Sequence, residues 1–244
     1  MKTISNNDQI YIGKKAGAGL GLLNIIRSAK KSLKIVSPYL SQSYLKDLVG
    51  LAKKGVKITL ITADELQQGM GGFSDFKQSD IIKQRKIQDN EAIDKKRRIK
   101  RISFTGLLIS LFFILGSILL PLLIIPTVIV ILISLFGLMS SYFIKEYNYE
   151  YYSIFRLKIF DSSSGEKPRS KELIHSKIFI IDENLAFLGS ANFTYSGFNT
   201  HYETLIKIED KKAVEDISDE VEKLYNSTDL LSKSTDELGR EIYE

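Results

Sequence analysis

Apolar and polar residues alternate along the first sixty positions in a way that predicts two helix–strand pairs. Apolar residues at helical spacing over 22–29 precede a short apolar run at 33–36. A second helical pattern over 45–52 is followed by the segment 56–62, which is rich in β-branched residues. This order of helix, strand, helix and strand predicts an α/β domain in which helices pack on a sheet.

The last hundred residues are dominated by patterns typical of strands. Apolar runs that predict strands lie at 154–160, 173–181, 186–188 and 204–208. An amphipathic pattern over 214–224 predicts a closing helix. The residues from 227 onward are mostly polar, and we expect this tail to fray.

Between these two parts lies a long apolar stretch without a single charged residue, Ile102–Ile144. One helix of that length would measure about 64 Å, roughly twice the hydrocarbon thickness of a bilayer. Pro121 and Pro126 lie near its middle, where they should interrupt a helix. The stretch therefore predicts a transmembrane hairpin with spans at about 102–120 and 126–144.

Two other arrangements of this stretch stay open at the level of sequence. A helix pair buried in the core of a soluble protein would need a polar outer face, and the stretch offers only Ser, Thr and Gly for it. A re-entrant hairpin would enter and leave the membrane on one side, and its sequence pattern is the same as that of a double crossing.

A basic run directly before the apolar stretch predicts the topology. Residues 80–101 are highly charged and favour a helix, and six of the seven residues 95–101 are Lys or Arg. Because cationic flanks stay on the cytoplasmic side, we expect both termini and the α/β domain to be cytoplasmic. The run can also contact anionic headgroups or nucleic acid. The predicted segments are 1–65, 66–101, 102–144, 145–226 and 227–244.

Composition narrows the chemistry that the chain can perform. It has no cysteine, which excludes disulfides, thiolate catalysis, iron–sulfur clusters and zinc sites with cysteine ligands. It has two histidines, His175 and His201, which leaves little room for a histidine-rich metal centre. The net charge of +5 permits an anionic partner without requiring one.

One motif in the second half resembles a known signature. The pattern H-x-K-x4-D-x6-G-S-x-N is complete, at His175, Lys177, Asp182, Gly189, Ser190 and Asn192. It resembles the signature of the phospholipase D superfamily, and its single copy is similar to that of the small dimeric bacterial nucleases in that superfamily. The resemblance extends over about 10–63 and 154–225. It implies a phospholipase D-like mixed sheet flanked by helices, into which the membrane hairpin is inserted.

The residue types of the motif suit attack on a phosphodiester. An imidazole such as His175 can attack phosphorus and form a phosphohistidine. Lys177 and the Asn192 amide can bind the nonbridging oxygens as charge grows on them, and Ser190 can add a further donor. His175 and Lys177 are two residues apart on a predicted strand, so we expect them to share a face. No metal or cofactor is implied.

Two acidic residues complete the predicted site. A carboxylate can hold a nucleophilic imidazole in one tautomer, and Glu203 is the candidate because similar nucleases carry an acidic residue after the Asn. Asp182 belongs to the motif, and we expect it to support the site structurally. His201 lies outside any H-x-K context and reads as a surface residue.

The superfamily mechanism uses two H-x-K units, and this chain has one. A homodimer would pair His175 of both protomers at a shared site, and the rival arrangement uses His201 as the acid within one chain. The resemblance implies a membrane-anchored phosphodiesterase, and a nuclease acting on DNA or RNA is the leading hypothesis. A phospholipase acting on lipids such as cardiolipin is the alternative, and a non-catalytic membrane scaffold is the third.

Overall fold

Both halves of the chain build one eight-stranded mixed sheet. The computed structural model describes residues 9–13, 19–63, 77–160, 174–228 and 231–244. The strands are β1 (Gln9–Gly13), β2 (Ser32–Val36), β3 (Lys57–Thr62), β4 (Ile82–Gln88), β5 (Tyr147–Ser153), β6 (Arg156–Phe160), β7 (Ile178–Ile181), β8 (Leu185–Gly189), β9 (Glu203–Ile208) and β10 (Ser232–Lys233). The helices are α1 (Gly19–Arg27), α2 (Gln42–Lys53), α3 (Asn90–Ser117), α4 (Ile124–Tyr142), α5 (Tyr195–Asn199), α6 (Lys211–Asn226) and α7 (Thr235–Tyr243).

The order of strands in the sheet interleaves the two halves of the chain. It runs β1-β9-β8-β7-β2-β3-β6-β10, while β4 and β5 form a separate two-stranded sheet. β3 pairs in parallel with β2 and β6, and the remaining pairs of the large sheet are antiparallel. The mixed α/β sheet expected from the sequence is therefore confirmed. The chain forms two compact units, Arg85–Glu150 and a larger unit made of the residues on either side of it.

Apolar residues on the two faces of the sheet pack against different helices. Leu33 and Ile35 of β2 lie in the core that contains buried residues of α1, α2 and α5. Val36 points to the other face, where it joins Val214 and Val221 of α6. Because alternate residues of a strand face opposite sides, a central strand that is buried on both faces reads as a continuous apolar run.

Four details of the secondary structure differ from the sequence-based expectations. Residues 82–88 form a strand instead of the start of a charged helix, and 147–153 form the strand paired with it. β1 at 9–13, for which the sequence pattern predicted no element, pairs with β9 at the edge of the large sheet. The expected polar tail contains β10 and α7, which is anchored by the buried Leu238. The first part of the expected polar linker, 64–76, lies outside the described residues.

The apolar stretch forms two helices that are long and apolar enough to cross a membrane. α3 begins at Asn90, where the Asp89 carboxylate accepts the N–H of Ala92, and it continues through the basic run into the apolar residues. The break falls at residues 118–120, and a 3₁₀ turn over Pro121–Leu123 leads into α4. Pro126, which was expected to begin the second span, lies in the first turn of α4, where its missing N–H costs no helical hydrogen bond.

Small residues fill the contact between α3 and α4. A Cβ atom at Gly106 would lie 2.3 Å from the Ser134 hydroxyl, and one at Gly137 would lie 2.3 Å from the Ser103 hydroxyl. The large apolar side chains point outward, as in Phe112, which is 75% exposed. This distribution, with small polar residues inside and apolar residues outside, is the reverse of a soluble helix pair and is typical of helices that pack in lipid.

Gly239 in α7 tests whether the C-terminal segment is part of the larger unit. A Cβ atom there would lie 2.1 Å from the Tyr151 ring, so Gly239→Ala should lower the free energy of unfolding by about 2 kcal/mol through overpacking. The matched control is Gly50→Ala in α2, where no heavy atom lies within 4 Å. This change should raise stability by about 0.5–1 kcal/mol, because alanine favours a helix interior. Denaturant midpoints of the full-length protein in detergent measure both changes. A midpoint of Gly239→Ala equal to that of wild type would contradict the docking of α7.

Candidate active site at the start of strand β7

His175 and Lys177 lie in an irregular segment that leads into β7. The strand begins at Ile178, so the expectation that both residues belong to it is wrong. Their side chains nevertheless meet. The Lys177 ammonium lies 3.1 Å from Nδ1 and 3.3 Å from Nε2 of the His175 ring, and it donates to the His175 carbonyl oxygen at 2.7 Å. The imidazole is exposed while the lysine is buried, so the ring lies at the surface next to a cation.

Lys177 carries a buried ammonium group, and this burial changes both its pKa and its interaction with anions. The residue is 6% exposed, and burial lowers the pKa of its ammonium, while the negative charge of Glu203 raises it in part. A cation that has lost most of its hydration interacts more strongly with an incoming anion than a surface lysine does. The position therefore suits a group that binds a phosphate oxygen.

Ser190 and Glu203 form a pair at the neighbouring strand ends. The Ser190 hydroxyl donates to Oε2 of the buried Glu203 carboxylate. The same hydroxyl oxygen accepts the N–H of Thr204 at 3.0 Å. Because a hydroxyl has only one proton, Ser190 in this structure positions Glu203 and has no proton left for a phosphate oxygen. These contacts therefore do not favour the prediction that Ser190 donates a hydrogen bond to the phosphate.

Glu203 does not hold the His175 ring in the way that the sequence suggested. Among the described residues, its carboxylate contacts Ser190 and the His201 ring, whose Nδ1 lies 3.6 Å from Oε1. The physical reason is the order of strands. β8 lies between β7 and β9, and neighbouring strands are about 4.8 Å apart, so Glu203 at the start of β9 is two strand positions away from the segment before β7. The contact of His201 with Glu203 was not predicted, because a spacing of two residues in the sequence does not by itself indicate that two side chains meet.

Two glycines of this region are required by close backbone approaches. A Cβ atom at Gly189 would lie 1.9 Å from the Thr204 carbonyl oxygen. A Cβ atom at Gly197 would lie 2.5 Å from the Asn192 carbonyl oxygen. The Gly of the motif therefore lets β8 run against β9 at the point where Ser190 reaches Glu203.

Asn192 follows this turn and is held mainly by its backbone. Its carbonyl oxygen accepts the N–H of Thr194 at 2.7 Å, and the next residue, Phe193, donates its N–H to the buried Ser37 hydroxyl at 2.9 Å. The Asn192 Oδ1 atom is buried and accepts no hydrogen bond from the described residues. Buried polar atoms are normally paired, so this oxygen is available to a donor from outside the described residues.

Asp182 lies at the opposite end of β7 from Lys177, about 16 Å along the strand. Its carboxylate accepts the backbone N–H groups of Lys30, Lys31 and Ser32 at 2.6–3.1 Å. Burial alone would raise the pKa of Asp182, but these hydrogen bonds outweigh it and lower the pKa below its usual value. Asp182 therefore has a structural role in this part of the fold, at a distance from His175 and Lys177.

A family model matches the part of the chain that contains the motif, and several solved structures are similar to the chain. Residues 133–225, which contain every motif residue and Glu203, match a family model described as "Cardiolipin synthase, PLD-like domain". Among solved structures, the chain is similar to NucT from Helicobacter pylori, with 14% identity and a TM-score of 0.47 over 93% of this chain and 99% of that chain. It is also similar to Nuc from Salmonella typhimurium, a phospholipase D family member, with 14% identity and a TM-score of 0.45 over the same shares.

A third solved structure is longer than this chain. Phosphatidylserine synthase from Haemophilus influenzae Rd KW20 has 12% identity and a TM-score of 0.46, and the match covers 100% of this chain and 43% of that chain. No curated protein matches the chain significantly in sequence.

Asp182→Asn tests the structural role of the motif carboxylate. The residue has a positive φ of 54°, which asparagine tolerates as well as aspartate, so the change removes charge without backbone strain. Loss of the charged acceptor should lower the free energy of unfolding by about 1–2 kcal/mol at neutral pH. The lowered pKa sets the sign: the contribution of Asp182 is complete above the unfolded pKa of about 3.8 and disappears as the pH falls through the folded value.

Unfolding midpoints measured between neutral pH and pH 2 check this prediction. Wild type should lose more stability than Asp182→Asn on acidification, so that the two curves converge at low pH. Asp219→Asn on the exposed side of α6 is the matched control and should follow wild type at every pH. Parallel curves for wild type and Asp182→Asn would contradict the role of the carboxylate.

Proposed function

We propose that this chain, whose residues 133–225 match a PLD-like domain model, is a membrane-anchored phosphodiesterase that works without a metal ion through a phosphohistidine on His175. The observation that carries the proposal is the exposed His175 imidazole in contact with the buried ammonium of Lys177. A nucleophile beside a desolvated cation is the arrangement that attack on an anionic phosphodiester requires, because the cation offsets charge as it develops on the phosphoryl oxygens.

The reaction needs two imidazoles acting in turn. A ring nitrogen of His175 attacks phosphorus, the bond from phosphorus to the leaving oxygen breaks, and a second imidazole gives that oxygen its proton. The second imidazole then takes a proton from water as the water attacks the phosphohistidine. The phosphorus–nitrogen bond breaks, and both rings return to their starting states.

A second copy of the chain is the proposed source of the second imidazole. His175 is exposed, and an exposed ring can face the same ring of a partner across a two-fold axis. In this homodimer the two rings exchange the roles of nucleophile and acid. The buried Oδ1 of Asn192, which accepts no hydrogen bond from the described residues, and the exposed His175 ring fit a site that is completed by another chain.

His201 offers the alternative within one chain, since its ring lies 3.6 Å from Glu203. That ring is 61% exposed, and Glu203 is the only described residue with which it forms an ion pair. It therefore lacks the buried cation that accompanies His175. We therefore prefer the partner's His175 over His201 as the second imidazole. The two schemes differ in how activity depends on the number of intact chains in a dimer.

Mixed dimers distinguish these schemes. Wild-type chains and His175→Asn chains, purified with exchangeable subunits and mixed in equal amounts, should retain about one quarter of the wild-type activity if both rings of a dimer are needed. They should retain about one half if each chain works alone. Wild type mixed with differently tagged wild type is the control and should keep full activity. The His175→Asn protein should keep the unfolding midpoint of wild type, which separates loss of chemistry from loss of folding.

DNA or RNA is the proposed substrate, and a phospholipid is the second candidate. A polyanion fits an exposed site in which the His175 imidazole lies beside the Lys177 ammonium. The two apolar helices are the observation that favours a lipid, because they would hold the domain near a membrane surface. A non-catalytic scaffold is the third reading, and the contact between His175 and Lys177 argues against it.

Parallel assays decide the substrate. Full-length protein in detergent with EDTA is incubated with labelled single-stranded DNA, labelled RNA or labelled phosphatidylglycerol, each beside His175→Asn. We expect cleavage of nucleic acid by wild type that the substitution reduces by at least about 10⁴-fold, since the nucleophile is removed. Turnover of lipid alone would overturn the nuclease proposal. Turnover of none of the substrates by a folded dimer would support the scaffold, and loss of activity in EDTA that zinc or magnesium restores would contradict the metal-independent mechanism.

A further inference from the structure

Several cations of the inserted unit Arg85–Glu150 remain after its ion pairs are accounted for. Lys96 pairs with Glu146 at 2.8 Å, Arg97 pairs with Asp94 at 3.2 Å, and Arg85 pairs with Glu150. Six exposed cations of the unit have side chains with no hydrogen bond or ion pair to any described residue, namely Lys86, Lys95, Arg98, Lys100, Arg101 and Lys145. The last four of these lie next to the uncharged stretch 102–144. The unit thus presents a concentration of uncompensated positive charge.

The helix contact places this charge on the outer surface of the hairpin. The neighbours of a Cβ atom at Gly137 are Ser103 and Ile99, so these two residues mark the side of α3 that faces α4. Arg98, Lys100 and Arg101 project from other sides of the same turns, since residues one or two apart on a helix do not share a face. They surround the outer half of α3 instead of pointing into the helix contact.

Exposed aromatic residues lie at the same level of the hairpin. Because Ser103 lies opposite Gly137 and Lys96 opposite Glu146, the antiparallel register places Tyr142 and Phe143 beside the turn that contains Arg98. The two rings make an edge contact with centroids 5.8 Å apart, and they are 82% and 73% exposed. Beyond this level, toward the hairpin tip, the outer surface is apolar, and from Ile102 it carries no charge.

We propose that Arg98, Lys100, Arg101 and Lys145, together with Tyr142 and Phe143, form a collar that binds the phosphate groups of anionic phospholipids. The proposal rests on insertion of the hairpin into a membrane, as the proposed function has it. Aromatic rings prefer the depth of the lipid headgroups, and lysine and arginine side chains reach from the edge of the apolar region to the same depth. Cations held there attract anionic lipids, and this attraction weakens as salt increases.

The collar fits a lipid better than a nucleic acid because its cations directly adjoin an exposed apolar surface. The unpaired cations lie within one helical turn of exposed aromatic and aliphatic side chains on both helices. A nucleic acid backbone would use the cations and leave this apolar surface without a partner, whereas a phospholipid has a phosphate and acyl chains at the matching separation. The binding is therefore expected to select the charge of the headgroup and not a sequence of bases.

The test compares two full-length variants with the same loss of charge. The collar variant carries Arg98→Gln, Lys100→Gln and Arg101→Gln, and the control carries Lys53→Gln, Lys54→Gln and Lys57→Gln, which are exposed lysines of the larger unit. Each protein is reconstituted in nanodiscs that contain phosphatidylglycerol and phosphatidylcholine, released into mild detergent, and examined by native mass spectrometry. The measured quantity is the ratio of the two lipids that remain bound.

Wild type and the control should retain phosphatidylglycerol in preference to phosphatidylcholine, and the collar variant should lose this preference by about tenfold or more. Equal ratios for collar variant and control would overturn the proposal. A collar variant that keeps its lipid ratio but loses binding to a short labelled DNA would identify the surface as one for nucleic acid and would also overturn it.

A carbonate wash of membranes separates failure of the collar from failure of the proposed function. If wild type is released by the wash, the hairpin is not inserted and membrane anchoring is refuted. If wild type stays in the membrane and shows no preference for phosphatidylglycerol, only the collar is refuted. Phosphodiester turnover by the collar variant in detergent should equal that of wild type, because none of its three residues belongs to the proposed active site.

Discussion

The contact between the Asp182 carboxylate and the backbone N–H groups of residues 30–32 holds the two halves of this chain in register. It fixes the end of β7 against the start of β2, and the pairs from Leu33↔Ile181 to Val36↔Ile178 follow from it. A slip by one residue would turn the apolar residues of β7 toward the wrong face of the sheet. The same register determines where the chain before β7 emerges, and that segment carries His175 and Lys177.

The other end of β7 concentrates buried charge near an exposed surface. Lys177 and Glu203 are both buried, and the negative charge of Glu203 partly offsets the lowering of the Lys177 pKa by burial, while Ser190 donates a hydrogen bond to the Glu203 carboxylate. The backbone approach at Gly189 makes this arrangement possible because no side chain separates β8 from β9 there. Buried ionisable groups are costly to stability, so their presence at the edge of the sheet beside an exposed imidazole favours a binding or catalytic role.

Sequence patterns predicted the central strands well because these strands are buried on both faces, so β2 and β3 appear as apolar runs. α6 was located by its periodicity, because it has one apolar stripe that faces the sheet. Residues 82–88 were misread because their many charges suit an exposed helix as well as an exposed strand, and pairing with 147–153 decided between the two. α7 was missed because one buried leucine and one close glycine contact anchor a segment that otherwise looks polar.

The sequence by itself determined the order along the chain of the strands and helices near the core. It also determined the uncharged stretch with its basic flank, and the complete motif with its resemblance to a known superfamily. These are local properties, since they depend on spacing, periodicity and residue type within a few turns of chain. Only the tertiary structure decided that Asp182 is remote from His175, that Ser190 and His201 contact Glu203, and that Glu203 is two strands away from the segment before β7. Distances across a sheet depend on which strands become neighbours, and that is set by pairing between residues far apart in the chain.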